Sequence, residues 1–323
     1  MFYIRHLPVA FVAGLLCSAA AYAQEPAQSG TQPAQVATPP PSPPPRKEWR
    51  PGPPVTEGGL PVTDDLAIFF HIRDEGMALM AAQKFTPHDE LLRQLNAAPD
   101  HAGLNITAAP LSTTPCAGLY EACKPGVLVV AGIDRKGRIS PAGGIVLTAD
   151  GVAVTNYHVA EGENATLVAM TSDRRVVGVK SILAASKLYD VAIIQLDGKG
   201  FTPLPLTSGA PVGTDIFALS HPGEHFYYLS RGIIARRAMS IHTPSEQGVP
   251  MLEITADYGR GSSGCPILDA AGQVVGMVKE TMSLYYTEEH GNQQNLQMVF
   301  KDCVTAEEIL KVATTGDEPA EKK

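Results

Sequence analysis

The sequence predicts a mainly β protein, built as barrels or sandwiches and preceded by a helical segment. Three observations carry that expectation. About ten short runs dominated by β-branched residues lie between Cys116 and Phe300. Turn pairs such as Asp150-Gly151 and Ala271-Gly272 separate them. Helical periodicity is confined to residues 62–98 and a short stretch near the C-terminus.

Residues 1–23 read as a signal peptide. Arg5 and His6 form a weakly basic start, Leu7 to Leu16 an apolar run, and Ala21-Tyr22-Ala23 a small-x-small cleavage site. The run holds about ten residues, too few to span a bilayer. Cys17 follows Leu16, which is too large for a lipobox, so lipidation is not expected. No later stretch reaches the length of a membrane span, so no integral membrane segment is expected in the mature chain.

Residues 24–61 are rich in Pro, Gln, Ala and Ser, with six prolines between Pro39 and Pro45. Such a stretch is extended and solvated and is expected to be a disordered linker. Residues 62–110 form a helical N-terminal segment. Thr63 is the expected cap, Asp64 and Asp65 suit a first turn, and Leu66, Phe69, Phe70, Met77 and Met80 share a face. A second helix starts with Thr86 as cap and Pro87 at its first position, followed by Leu91, Leu92 and Leu95. Packing of this pair on the main domain is the expected arrangement, with an oligomerisation or regulatory element as the alternative.

The main domain is placed at residues 111–312. Its first strand group contains the runs at Gly126, Gly144, Val152, Val176 and Val191. Its second contains those at Ile216, Gly232, Met251, Pro266 and Val274. A short helix from Thr305 to Val312 precedes a charged tail at 313–323.

Net charge excludes one class of partner. The 323-residue chain carries 25 Lys and Arg against 33 Asp and Glu, a charge of −8. Losing residues 1–23 removes one base, Arg5, and makes it −9. No basic excess exists to neutralise phosphates, so nucleic acid is not an expected partner. His221 and His225 flank Pro222 and Gly223, which preclude the helical face that an i,i+4 metal pair needs. No metal and no cofactor are expected.

After cleavage Cys116, Cys123, Cys265 and Cys303 remain. An oxidising compartment permits disulfides, and four cysteines allow three pairings. Cys116 and Cys123 bracket a short loop and are the favoured bridge, leaving Cys265 with Cys303. Buried free thiols are the alternative.

Acyl transfer from a peptide needs a nucleophile, a base, a group to orient the base, and oxyanion donors. Ser263 lies in Gly261-Ser262-Ser263-Gly264-Cys265-Pro266. Its glycines allow a tight turn that exposes Oγ and frees the N–H groups of Gly261 and Ser263 for an oxyanion. His158 lies in Val154-Thr-Asn-Tyr-His-Val. Asp190 stands at the mouth of the apolar run Val191-Ala-Ile-Ile, where a carboxylate needs a partner such as an imidazole N–H. Each signal alone also fits a structural role. Together, in the order His, Asp, Ser and split between two strand groups, they define a triad.

These motifs resemble a known family. Thr155-Asn156-Tyr157-His158-Val159 is similar to the histidine motif of trypsin-like serine peptidases, above all the Deg, or high-temperature-requirement, group of bacterial periplasmic proteases. Tyr189-Asp190-Val191-Ala192 and Arg260-Gly261-Ser262-Ser263-Gly264 resemble its aspartate and serine motifs. Ser220-His221-Pro222 and Ser230-Arg231-Gly232-Ile233-Ile234 stand where the family has an Asn-Pro turn and a Ser-Gly-Ile-Val strand. The resemblance covers roughly residues 116–310. It implies two antiparallel six-stranded β-barrels with the active site between them, and a periplasmic or secreted serine endopeptidase acting on polypeptide. It implies His158 as general base, Asp190 as its orienter and Ser263 as nucleophile. Homo-oligomerisation is left open.

Three departures stand out. Cys265 replaces a glycine and adds bulk beside the oxyanion loop. Ser262 replaces the acid that pairs with a freshly cut N-terminus in zymogens, so such activation is not expected. The residues after Ser263 are expected to complete the second barrel, and no PDZ domain is expected among them. In trypsin-like folds the position six residues before the serine lies at the base of the primary specificity pocket. Here it is Asp257, which would favour a basic residue before the scissile bond. The alternative function is a trypsin-fold binding or scaffold protein that is catalytically silent.

Overall fold

The computed structural model describes residues 56–112, 114–162, 164–240, 248–289 and 292–314. The expected signal peptide, the linker up to residue 55 and the tail beyond 314 lie outside them. The last linker residues pair β1 (Thr56–Glu57) with β2 (Leu60–Pro61), an exposed hairpin.

Helix α1 (Asp65–Ala81) is capped by Asp64, whose side chain accepts the Ala67 N–H at 2.9 Å. The cap lies one residue beyond the expected Thr63; Asp fills the role equally well. Its inward face also differs from expectation. Ile68, Ile72 and Gly76, four apart, are buried, while Leu66 is 62% exposed. Gly76 decides the orientation, because a Cβ there would stand 2.0 Å from Ile133 Cδ1. The bulky stripe that the sequence suggests lies partly at the rim: Phe69, Met77 and Met80 are half-buried. Helix α2 (His88–Ala97) buries Leu91 and Leu95 as expected. Thr86 does not cap it, but donates to the Lys180 carbonyl at 2.9 Å. Both helices pack on the first barrel.

After the short helix α3 (Leu119–Cys123), six strands close that barrel: β3 (Val127–Ile133), β4 (Ile139–Val146), β5 (Val152–Thr155), β6 (Thr166–Met170), β7 (Val176–Ser186) and β8 (Val191–Leu196). Their order around the barrel is β3-β4-β5-β8-β7-β6, with every pair antiparallel. Strand β3 explains its unbroken apolar run by being buried on both faces. Val127, Val129, Ala131 and Ile133 join Ile68 and Ile72 of α1. Leu128 and Val130 join Leu91 and Leu95 of α2.

The second barrel follows: β9 (Asp215–Ser220), β10 (Tyr228–Ser240), β11 (Val249–Ile254), β12 (Pro266–Asp269), β13 (Val274–Glu289) and β14 (Asn292–Thr305). Their closed order is β10-β11-β14-β13-β12-β9, again antiparallel throughout. Closure leaves neither barrel a free edge. Two six-stranded barrels are therefore the architecture. Thr305 caps the last helix, which follows β14 and buries Ile309 and Val312.

Candidate active site

His158 and Asp190 belong to the first barrel. Strand β5 ends at Thr155, and α4 (Tyr157–Glu161) begins two residues later, so His158 sits in a helical first turn rather than on the strand. Asp190 closes the turn before β8 with φ 57°, a left-handed conformation that Asp tolerates better than most residues. Its carboxylate accepts twice from the same residue: the His158 backbone N–H at 3.1 Å on Oδ1 and the ring Nδ1 at 2.9 Å on Oδ2. The Asp190 carbonyl accepts the Asn156 side-chain amide at 3.0 Å, a further support that the sequence motif contained but did not reveal. Asp190 is buried and the His158 ring half-exposed, so the ring's Nε2 edge is left to the cleft.

Ser263 comes from the second barrel, on the loop between β11 and β12, and its carbonyl accepts the Gly143 N–H of β4 at 2.6 Å. Gly264, at φ 87°, lies so close to this strand that a Cβ would meet the Gly143 carbonyl at 2.1 Å and Thr155 Oγ1 at 2.6 Å. The serine loop is thus seated against Thr155, three residues upstream of His158 in the chain. Ser263 Oγ donates to the Lys279 carbonyl at 3.3 Å, and among the described residues no hydrogen bond joins it to His158. A cleft of about 670 Å³ between the barrels is lined by His158, Leu188, Tyr189, Met251 and Lys279.

The expected oxyanion donors are unengaged. Among the described residues the N–H groups of Gly261 and Ser263 meet no acceptor, whereas the Arg260 carbonyl accepts the Gly223 N–H at 2.7 Å. In a trans peptide C=O and N–H point oppositely, so the Gly261 N–H faces away from Gly223. Ser262, uncharged in the sequence, is fully buried. Cys265 is accommodated by Gly143: a Cβ there would stand 2.2 Å from its Sγ.

The specificity-pocket expectation requires correction. Asp257 is 79% exposed and pairs with Lys301 at 2.9 Å, so it is a solvated, neutralised carboxylate and not a buried anionic base. The next residue turns inward instead, into the core of the second barrel beside Cys265 and Cys303. Tyr258 is buried, and its hydroxyl lies 2.9 Å from the carbonyls of both Glu280 and Asp302. Burial raises its phenol pKa, so it stays neutral.

His221 is structural. Its Nδ1 accepts the Tyr227 N–H at 3.0 Å, so Nε2 carries the proton and donates to Leu128 O of β3 at 3.2 Å. Both nitrogens are committed, which leaves none for a metal shared with His225. Complete burial drops its pKa from 6.5 to about 4. Between those values the unfolded chain binds a proton that the folded chain refuses, so stability is full above pH 6.5 and falls as pH drops toward 4. The loss expected from this residue is about 3 kcal/mol. Urea midpoints at pH 7.5 and 4.5 for wild type and His221→Gln check it: the variant should lose close to one proton of pH dependence, and equal slopes would refute it.

Among the described residues Cys116, Cys123, Cys265 and Cys303 are free thiols. A Cβ on Gly272 would lie 2.9 Å from Cys123 Sγ and 3.7 Å from Cys116 Sγ, so the favoured pair converges on one point. Burial raises the Cys123 pKa to about 11. The leftover pair does not converge. Val278 of β13 stands between them, donating its N–H to the Cys265 carbonyl at 2.9 Å on one side and pairing with Cys303 on the other. Two ladder spacings of about 4.8 Å exceed the ~7 Å limit for a bridge.

Residues 142–277 match the family model of the trypsin-like peptidase domain, a span that takes in His158, Asp190 and Ser263. That span is under half of the chain. Its sequence is similar to a probable periplasmic serine endoprotease, DegP-like, of Pseudomonas savastanoi, 31% identical over 42% of this chain and 28% of that protein. It is also similar to the magnetosome formation protease MamE of Paramagnetospirillum magneticum, 29% identical over 42% of this chain and 19% of that one. The chain thus spans less than a third of the length of these relatives. The HtrA-type protease AlgW with tripeptide aligns at 18% identity and TM-score 0.47, covering 58% of this chain and 59% of that one. A serine endoprotease from Yersinia pestis aligns at 17% identity and TM-score 0.48, covering 62% of this chain and 66% of that one.

Proposed function

We propose that the chain is an exported serine endopeptidase that cleaves polypeptide through His158, Asp190 and Ser263. The observation that carries this is the double acceptance by Asp190 of the His158 ring and backbone. It fixes the proton on Nδ1 and leaves Nε2 as an acceptor. In the reaction Ser263 Oγ turns from the Lys279 carbonyl to Nε2, gives up its proton and attacks the scissile carbonyl. The N–H groups of Gly261 and Ser263 receive the oxyanion, and His158 returns the proton to the leaving amine. Water then releases the acyl group. In the oxidising compartment that this reading implies, Cys116 and Cys123 are the pair placed to close a disulfide.

The hydrogen bond from Ser263 to Lys279 favours a second reading, a silent trypsin-fold binding protein. A fluorophosphonate probe separates the two, since it reacts only with an activated serine. Stoichiometric labelling is the expected result; an unlabelled, folded chain would end the peptidase reading.

Tyr258 sets the expected preference. It is a buried, neutral side chain five residues before Ser263, where Asp257 offers no buried charge, so the residue before the scissile bond should be small and apolar. Tyr258→Ala should raise the kcat/KM ratio for Phe over Ala at that position by about 10–200-fold. Tyr258→Phe should leave it unchanged. Peptide-library profiling by mass spectrometry measures both, and a wild type that prefers Arg or Lys would contradict the assignment.

A further inference from the structure

Resting on that reading, we propose that Asp65, at the start of the N-terminal helix, is a positioning residue for the oxyanion hole. The link runs through the turn from His221 to Tyr228. That turn is strained: Gly223, Glu224 and Tyr227 have φ of 58°, 69° and 59°, and two of the three are not glycine. A backbone of this kind persists only where its surroundings hold it. One side is held by His221, whose ring ties Leu128 O to the Tyr227 N–H. The other is held by Asp65, whose Oδ1 accepts the Phe226 N–H at 2.9 Å and whose Oδ2 lies 3.4 Å from His225 Nδ1.

The turn in turn positions the peptide that matters. Its Gly223 N–H holds the Arg260 carbonyl at 2.7 Å, and its His221 carbonyl would stand 2.8 Å from a Cβ on Gly261. Held so, the Arg260–Gly261 peptide keeps its carbonyl away from the site and its N–H free. If the turn relaxes, the peptide can rotate and present a carbonyl where the oxyanion needs a donor. Asp65 is well placed to prevent this. It sits one residue after the helix cap, and its helix is locked on β3 through Ile72 and Gly76. The N-terminal segment thereby does what a buried new N-terminus does in zymogens, through a carboxylate from a separate element and without cleavage.

The test uses the full chain as wild type, Asp65→Ala and Asp65→Asn, measuring fluorophosphonate labelling rate, peptide hydrolysis and Tm. Asn keeps an oxygen for the Phe226 N–H; Ala does not. Asp65→Ala is expected to lower kcat and labelling rate about 10–100-fold with KM within about twofold, short of the loss for deleting a donor outright. Asp65→Asn should recover most of that rate. Unchanged kcat in Asp65→Ala, or an Asn variant as poor as Ala with the same drop in Tm, would overturn the proposal while leaving the peptidase reading intact. An unlabelled wild type would remove both.

Discussion

Ser263→Ala is expected to abolish fluorophosphonate labelling and lower kcat by about 10⁴–10⁶-fold, leaving only what binding and the oxyanion donors supply. The argument is geometric. On the loop that Gly143 seats against the His158 barrel, the Cys265 thiol is fully buried and Ser263 Oγ is the accessible nucleophile. Its neighbour Ser262 is buried, with its hydroxyl inaccessible. The fold should survive, because Ser263 gives up a single 3.3 Å hydrogen bond to a carbonyl, worth about 1 kcal/mol. Unfolding by circular dichroism should therefore overlay for the two proteins. Residual hydrolysis at the wild-type rate would remove Ser263 from the mechanism.

Asp190→Asn should cost nearly as much, about 10³–10⁴-fold in kcat, without removing an atom of bulk. The carboxylate presents two acceptors to two donors of His158. An amide presents only one. With its oxygen on the backbone N–H, its NH₂ faces Nδ1, which must then accept. The ring proton moves to Nε2, and the base can no longer take the proton of Ser263. With the amide reversed, two N–H groups confront each other beside a buried side chain, at about 1–3 kcal/mol. Single-turnover acylation rates measure the first effect and Tm the second. A rate within tenfold of wild type would show that the pair does not orient the base.

The proposed triad could be named from the sequence because each member sits in a short motif with a stated chemical need, and the β-branched runs announced most strands. What escaped the sequence has physical causes. Strand β6, Thr-Leu-Val-Ala-Met, has no turn signal beside it strong enough to set it off from the preceding loop. The long β13–β14 ribbon carries Met282, Leu284, Leu296 and Met298 on exposed positions, so burial alternation is lost outside the barrel. The inward face of α1 was chosen by the absence of a side chain at Gly76, which hydrophobic periodicity does not register. Asp257 and Tyr258 illustrate register: motif counting points to one residue, but which side chain turns inward depends on the carbonyls of β13 and β14 that receive the Tyr258 hydroxyl. The contacts of His221 and Asp65 could not be read, because their partners Leu128 and Phe226 lie 93 and 161 residues away.

The hydrogen bond between the Ser263 carbonyl and the Gly143 N–H crosses from one barrel to the other. On the proposed mechanism neither sheet owns the chemistry, which takes place at their joint. Activity is then a gauge of alignment rather than of foldedness. A slip of the barrels by little more than an ångström would break that hydrogen bond and draw the nucleophile from its base while both sheets kept every ladder bond. Heat or denaturant should accordingly silence the protein before spectroscopy registers a loss of structure, and recovery on cooling should be as fast as a rigid-body closure rather than as slow as refolding of a β-barrel.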